Sequence, residues 1–392
     1  MVFRRKANTR PIERGWSMIS YGRQTIDDSD VESVLNVLKS NYLTQGPAVT
    51  KFEDTIKERV GSQHAVAVNS GTAALHLACL VLDVSEGDCV WVPAISFVAS
   101  ANCARYCGAN VDFIDIDPRT GNLDIETLKE KLKQSKIENT LPKVLVVVHM
   151  AGNPLDMCEI SQLAINYNFY VIEDASHALG AKYSCGEPVG SNKYSDITVF
   201  SFHPVKMITT GEGGMALTNH TGRANRMRTL SSHGIHRPEG GLPWYYQQTE
   251  LGFNYRLSDI HAALGTSQLN RLDGFIEKRK SISNYYFKNI CADDVTLLPY
   301  GEHGESSFHL FQIYTSNQYA LYEQLKAEGI VCQVHYIPIP SQPYFQELGF
   351  EMEDYPNAGN FYKGVLSLPI YPLIESSILK KIVEVINDRS SR

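Results

Sequence analysis

A chain of 392 residues with 43% hydrophobic and 20% charged side chains has apolar material for about two packed units, which excludes general disorder. Its formal net charge of −7 shows no overall basic excess, so nucleic-acid binding is not its organising role. No run of about 18 apolar residues occurs, which argues against a membrane-spanning helix.

Residues 1–18 form a basic leader containing Arg4, Arg5, Lys6, Arg10 and Arg14. It lacks the apolar stretch of a secretion signal, so disorder is expected there, with Met18 as a candidate start and the cytoplasm as the expected compartment. From there the chain reads in order. A helix over residues 28–39, introduced by Asp27 or Asp28, carries Val31, Val34, Leu35 and Leu38 on one face. After a turn at Leu43–Pro47 comes a helix over about 49–59. The strand 64–69 then runs through Ser70-Gly71-Thr72 into a helix ending near Leu82. The alternation repeats: strand 89–92 with helix 97–107, strand 111–115 with helix 124–134, strand 144–148 with helix 156–167. Strands 169–172, 197–200 and 215–218 follow. Such an order predicts an α/β fold with a largely parallel sheet covered on both faces. A long helix over roughly 258–290 then leads to strands near 308–314 and 331–336 and a last helix from about 375. The expected division is a large α/β domain over 19–270 and a smaller C-terminal α+β domain over 271–392. The eight cysteines lack Cys-x-x-Cys spacing and are read mostly as small buried hydrophobes, with no metal site; Cys103 and Cys107, four apart, lack further ligands.

The chemistry concentrates at strand ends. Lys206 stands between the β-rich segment Asp196–Phe202 and the glycine-rich turn Gly211, Gly213 and Gly214. A lysine with an ordinary pKa near 10.4 is protonated at neutral pH, so one that attacks a carbonyl to form an imine needs a pocket that lowers it. Ser70-Gly71-Thr72 offers a hydroxyl and backbone N–H groups at a helix start, a setting for a phosphate or simply a helix cap. Asp174 follows the strand 169–172, where a carboxylate suits a protonated ring nitrogen; His177 lies nearby to contact the ring or orient Asp174. Phe97, also after a strand, is either a stacking ring or a core residue. Ser201, five residues before Lys206, is a second candidate hydroxyl for a phosphate.

The words Asn69–Leu75, Glu173–Ala178, Phe200–Lys206, Thr210–Gly214 and Gly252–Leu257 resemble the DegT/DnrJ/EryC1/StrS sugar aminotransferases over about residues 19–388. The resemblance implies a fold type I (aspartate aminotransferase-like) enzyme that uses pyridoxal 5′-phosphate, with the pyridoxamine form as its other state, and works as a homodimer with shared active sites. It implies Lys206 as the imine lysine, Gly71, Thr72 and Ser201 at the cofactor phosphate, Asp174 at the ring nitrogen, and Phe97 on the ring face. Asn254 would reach the phosphate or substrate of the neighbouring subunit, and His177 stands where the family has a polar ring-contacting residue, often Gln. The words Ser40–Pro47, His149–Pro154, Ser232–Gly234 and Gln333–Ile339 are most like the branch that uses L-glutamate to aminate a UDP-linked 4-keto sugar. By that resemblance Tyr21, Asn41, Tyr42, Leu43, Thr44, His335, Tyr336, Ile337 and Pro338 contact the sugar nucleotide, with Gly71, Ser201 and Asn254 beside it. Perosamine- or bacillosamine-type relatives share most of these words. Dehydratases of the same fold commonly replace the lysine by histidine, whereas Lys206 is retained; a non-catalytic protein on this fold would not need the whole set.

Overall fold

The computed structural model describes residues 18–388, so the basic leader before Met18 lies outside the described residues. The first helix, α1 (Asp28–Leu38), starts at a reciprocal cap: Asp27 accepts from the amides of Ser29 and Asp30, and Asp30 accepts from that of Asp27. Helix α2 (Pro47–Val60) has proline in its first turn and closes on Gly61 at φ 77°, a left-handed position glycine adopts without steric cost. The sheet then begins: β1 (His64–Val68), α3 (Gly71–Val81), β2 (Cys89–Pro93), α4 (Ala99–Tyr106), β3 (Asn110–Ile114), α5 (Ile125–Glu138), β4 (Val144–Val148), α6 (Met157–Tyr167) and β5 (Tyr170–Asp174). After the short β6 (Lys182–Tyr183) come β7 (Ile197–Ser201), β8 (Gly214–Thr218) and α7 (Thr221–Ser231).

The seven-stranded sheet has the order β1-β8-β7-β5-β4-β2-β3, and β8 alone is antiparallel to its neighbours. Alternate strand residues point to opposite faces, which explains the two cores. Val66, Val90, Val146, Ile172 and Val199 join the cluster containing α3 and α4, whereas Ala65, Trp91, Leu145, Val171 and Phe200 join the one containing α2 and α5. Helix α3 is buried at nine of its eleven positions, so both its ends are held in place by surrounding packing.

A hairpin of β9 (Ile235–His236) and β10 (Gln247–Gln248) precedes α8 (Asp259–Leu269) and α9 (Leu272–Asn289). The expected single helix over 258–290 is therefore two. The break falls at Arg271, at φ −105° and ψ 0°, whose guanidinium ion-pairs with Asp27 and Asp30 of the α1 start. The same pairing turns α1 over: Asp30 is buried against α8, while Val31, Leu35 and Leu38 face outward. Of the remaining strands β11 (Val295–Leu297), β12 (Gly304–Glu305), β13 (Phe311–Thr315) and β14 (Val365–Leu368), three form a small antiparallel sheet in the order β11-β13-β14. It packs with α9, α10 (Gln318–Ala327) and α13 (Ser376–Asn387) around a third core; the short α11 (Pro343–Gln346) and α12 (Pro356–Tyr362) lie between.

Residues 331–336 do not form the expected strand. Only Gln333 pairs with Ser367 of β14 before the chain leaves for the large sheet, where the Ile339 amide donates to the Ala94 carbonyl at 2.8 Å. The cysteines also depart from expectation: Cys79, Cys103 and Cys332 are buried, but Cys158, Cys185 and Cys291 are exposed, because these three sit on outer faces and turns.

Candidate active site

The carboxyl ends of β1, β2, β4, β5 and β7 share one edge of the sheet, and β8 starts at that edge. Gly214 pairs with Val68 on one side and with Ser201 on the other, which draws the turn after β1 and the end of β7 together. A Cβ on Gly71 would stand 2.9 Å from the Cβ of Ser201, and one on Gly214 would collide with the Ser70 carbonyl and lie 2.6 Å from the Gly71 nitrogen. Glycine is therefore required at both places. Ser70 caps α3 by accepting from the Ala73 amide at 3.1 Å, leaving the amides of Gly71 and Thr72 uncommitted beside the Ser201 hydroxyl. Free N–H groups, a hydroxyl and the positive end of an eleven-residue helix make an anion cradle.

The β7–β8 connection is pinned at its base. The Phe202 amide donates to the Gly213 carbonyl at 2.9 Å, and the Phe202 carbonyl accepts from the Thr210 amide and the Thr209 hydroxyl at 3.0 Å each. Within it, a turn closed by the Lys206 amide on the His203 carbonyl at 2.9 Å presents the lysine. Its ammonium makes no hydrogen bond or ion pair within 4 Å among the described residues. Burial pushes its pKa down to about 8, against the attraction of Asp174.

Asp174 is the last residue of β5 and is buried. Its Oδ2 accepts from the Ser100 hydroxyl at 2.6 Å, its Oδ1 from the Ser176 amide at 3.2 Å, and Ser100 in turn lies 2.7 Å from the Ser96 hydroxyl. Glu173, one residue earlier, faces the other way into the core and is fully buried. It accepts from His149 Nε2 at 2.7 Å, the Tyr183 hydroxyl at 2.6 Å and Thr198 at 3.3 Å. The Leu155 amide donates to His149 Nδ1 at 3.2 Å, which assigns the ring hydrogen to Nε2. Burial pushes the Glu173 carboxyl up, but donation from His149 and its neighbours outweighs this and leaves it below the usual range.

The opposite wall comes from late and early chain segments. Tyr336 OH lies 3.0 Å from His177 Nε2, His335 Nδ1 lies 2.8 Å from the Ser367 hydroxyl, and the His335–Tyr336 peptide bond is cis. The Tyr21 ring meets that of His335 edge-on at 5.0 Å, and a Cβ at the adjacent Gly22 would lie 3.4 Å from that of Val205. Phe97 is 56% exposed, 6.0 Å from the Tyr336 ring, so it is not a core residue. Burial, then the Lys206 charge and His335, hold His177 well below its usual pKa; burial and Lys206 push His335 down to about 3. Both rings are neutral at pH 7. His177 Nδ1 is buried without any hydrogen-bond partner, a condition a native interior rarely tolerates without a bound group.

Thus Gly71, Thr72 and Ser201 meet in one cradle, and Phe97, Asp174, His177, Lys206, Tyr21, His335 and Tyr336 surround one space, with Ile337 and Pro338 on the adjoining strap. Asn41, Tyr42, Leu43 and Thr44 go elsewhere. They run exposed past α8, with Thr44 bridged to Ser258 and the following amides of Gly46 and Ala48 donating to Asp259 at 2.8 and 2.9 Å. Asn254 is also exposed, beside the end of β1, its carbonyl accepting from the Asn69 amide side chain at 3.3 Å. No contact joins this patch to Lys206 among the described residues. Sequence reasoning missed Ser96, Ser100 and His309, whose ring packs 4.4 Å from that of His177. Two hydroxyl residues four apart, one just before and one in the first turn of a small-residue helix, were the available signal for the serines.

An orphaned ring nitrogen, an anion cradle that a Cβ would fill and a half-buried lysine opposite a carboxylate fit pyridoxal 5′-phosphate. The pattern that defines the DegT/DnrJ/EryC1/StrS aminotransferase family matches residues 24–387. The UDP-4-amino-4,6-dideoxy-N-acetyl-beta-L-altrosamine transaminase of Campylobacter jejuni is 40% identical over 360 residues, covering 90% of this chain and 93% of that one. An aminotransferase of Helicobacter pylori involved in the biosynthesis of pseudoaminic acid superposes with a TM-score of 0.87 at 30% identity, over 96% of this chain and all of the other. The PLP form of the sugar aminotransferase Spr1654 of Streptococcus pneumoniae, so named for its resemblance to such enzymes, superposes with a TM-score of 0.86 at 28% identity, over 95% of this chain and 99% of that one.

Proposed function

Because this chain belongs to the DegT/DnrJ/EryC1/StrS aminotransferase family and is a pyridoxal phosphate-dependent sugar aminotransferase, we propose that it moves the amino group of L-glutamate to C4 of a UDP-linked 4-keto-6-deoxy-N-acetylamino sugar. The compound is UDP-2-acetamido-2,6-dideoxy-β-L-arabino-hexos-4-ulose, in pseudaminic acid synthesis. The identity of 40% with a transaminase named for its product carries this reading.

When bound, pyridoxal phosphate supplies an aldehyde that condenses with amines and a protonated ring that accepts electrons. The protein does the rest. Gly71, Thr72 and Ser201 would hold the phosphate, Asp174 would face the protonated ring nitrogen, and His177 would offer Nδ1 to a polar group of the ring. Lys206 anchors the cofactor at rest. Its free amine, with its pKa pushed down to about 8, would take the proton from Cα of glutamate in the first half-reaction and deliver one to C4 of the sugar in the second. Tyr21, Phe97 and the His335–Pro338 strap wall the space from water.

The separate patch of Asn41–Thr44 and Asn254, beside the outward stripe of Val31, Leu35 and Leu38, supports a homodimer in which these residues complete the partner's site. Eight unpaired thiols accord with a reducing cytoplasm. Incubation with glutamate and a panel of UDP- and dTDP-linked 4-keto sugars, with products identified by mass and NMR, tests the substrate. The N-acetylated UDP sugar should be aminated at C4; preference for another nucleotide sugar would move the chain to a neighbouring branch of the family.

A further inference from the structure

Asp174 is not left to meet the ring alone. Ser100 Oγ donates to Asp174 Oδ2 at 2.6 Å, and its other neighbour, Ser96 Oγ, stands 2.7 Å away. All three side chains are buried: Ser100 is fully enclosed, Ser96 is 2% exposed and Asp174 6%. Because Ser100 spends its hydrogen on the carboxylate, the Ser96–Ser100 bond takes its hydrogen from Ser96, so the chain of hydroxyls has one polarity, from Ser96 through Ser100 to Asp174. A hydrogen bond to an ionised acceptor is short and strong, and each bond in such a series polarises the next.

The geometry points to Ser100, backed by Ser96, as the positioning residue that keeps the ring proton on the cofactor nitrogen rather than on Asp174. A proton between a pyridine nitrogen and a carboxylate settles on the poorer acid. Asp174 Oδ2 accepts the Ser100 hydrogen, a contact made by the anion and lost if a proton sits on that oxygen, so the geometry matches a cationic ring to an anionic Asp174. The Ser176 amide on Oδ1, at 3.2 Å, is the weaker of the two supports. The serines also fix the carboxylate plane: with Oδ2 tied to α4 and Oδ1 to the chain after β5, the remaining lone pairs have one direction to face. Among the titratable groups around Asp174, Lys206 attracts it and the buried Tyr336 hydroxyl lies near it; neither donates to it among the described hydrogen bonds.

This inference rests on the proposed role of Asp174, and the test separates the two. Apoenzyme reconstituted with pyridoxal phosphate labelled with 15N at the ring is observed by NMR, and the dissociation constant of the cofactor and the glutamate half-reaction are measured alongside. The wild type should show a protonated ring nitrogen. Ser100→Ala should move that resonance toward the unprotonated position and slow the half-reaction about 10- to 100-fold, as the loss of a hydrogen bond to a charged group implies, with KM for glutamate nearly unchanged. Ser100→Thr should restore both readings, and Ser96→Ala should move them in the same direction by less. A protonated nitrogen and wild-type rate in Ser100→Ala would overturn the assignment of Ser100 alone; an unprotonated nitrogen in the wild type would overturn the role of Asp174 itself. Should Ser100→Ala fail to fold, Ser100→Cys, with its weak S–H donor, decides by the same two readings.

Discussion

At the scale of single residues, the controlling quantity is the protonation of Lys206. Burial pushes its pKa down to about 8 in the cofactor-free chain, so the neutral amine, the form that attacks an aldehyde, is a minority below that pH and the majority above it. The rate at which apoenzyme captures pyridoxal phosphate should therefore rise about tenfold per pH unit below 8 and level off above it, read as the growth of the absorbance of the bound cofactor. A rise continuing to pH 10 would show an ordinary exposed lysine. The sequence announced Lys206 and Asp174 because each sits in a distinctive run of small residues at a strand end. It did not announce how they are tuned: the lowering comes from burial, and only the folded chain brings His177 and His335 near the lysine charge.

At the scale of elements, β5 ends in two carboxylates that face opposite sides of the sheet. Asp174 lies on the side of the candidate site, while Glu173 is anchored in the core by His149, Tyr183 and Thr198. His149 is thus a fixing point for the strand end: its amide also donates to the Asp174 carbonyl at 3.4 Å. His149→Phe keeps the ring's bulk but withdraws the donor from a buried carboxylate, and should cost about 1.5–3 kcal/mol in chemical denaturation of the apo chain. A change within experimental scatter would mean that Tyr183 and Thr198 suffice. Hydrophobic periodicity made most elements of the large sheet legible, since each buried strand is a short apolar run followed by a small-residue turn. It failed where long-range polar contacts decide the path. Nothing local marks the break at Arg271, which follows from ion pairs with α1, and β-rich composition misread residues 331–336, which the Ala94 carbonyl diverts to the other sheet.

At the scale of the whole molecule, α1 displays Val31, Leu35 and Leu38, exposed at 57%, 42% and 53%, and the β9–β10 hairpin displays Trp244 at 73%. Contiguous exposed apolar surface of this kind marks a face that a partner covers. For the proposed homodimer, Leu35→Glu should shift light scattering from the mass of a dimer to that of a monomer and lower the activity with it; an unchanged mass would place any interface elsewhere. The chain's path has a consequence for how the enzyme is made. Ile19 pairs with Ile330, and the Ile370 amide donates to the Tyr21 carbonyl at 3.0 Å, so the first described segment finds its place only against the last stretch of sequence. On the ribosome that segment waits, unpaired, for roughly half a minute of synthesis. An incomplete chain that stops before β14 would carry the lysine without Ser367 and Ile370, the two ties that fix His335 and Tyr21 in the wall beside it.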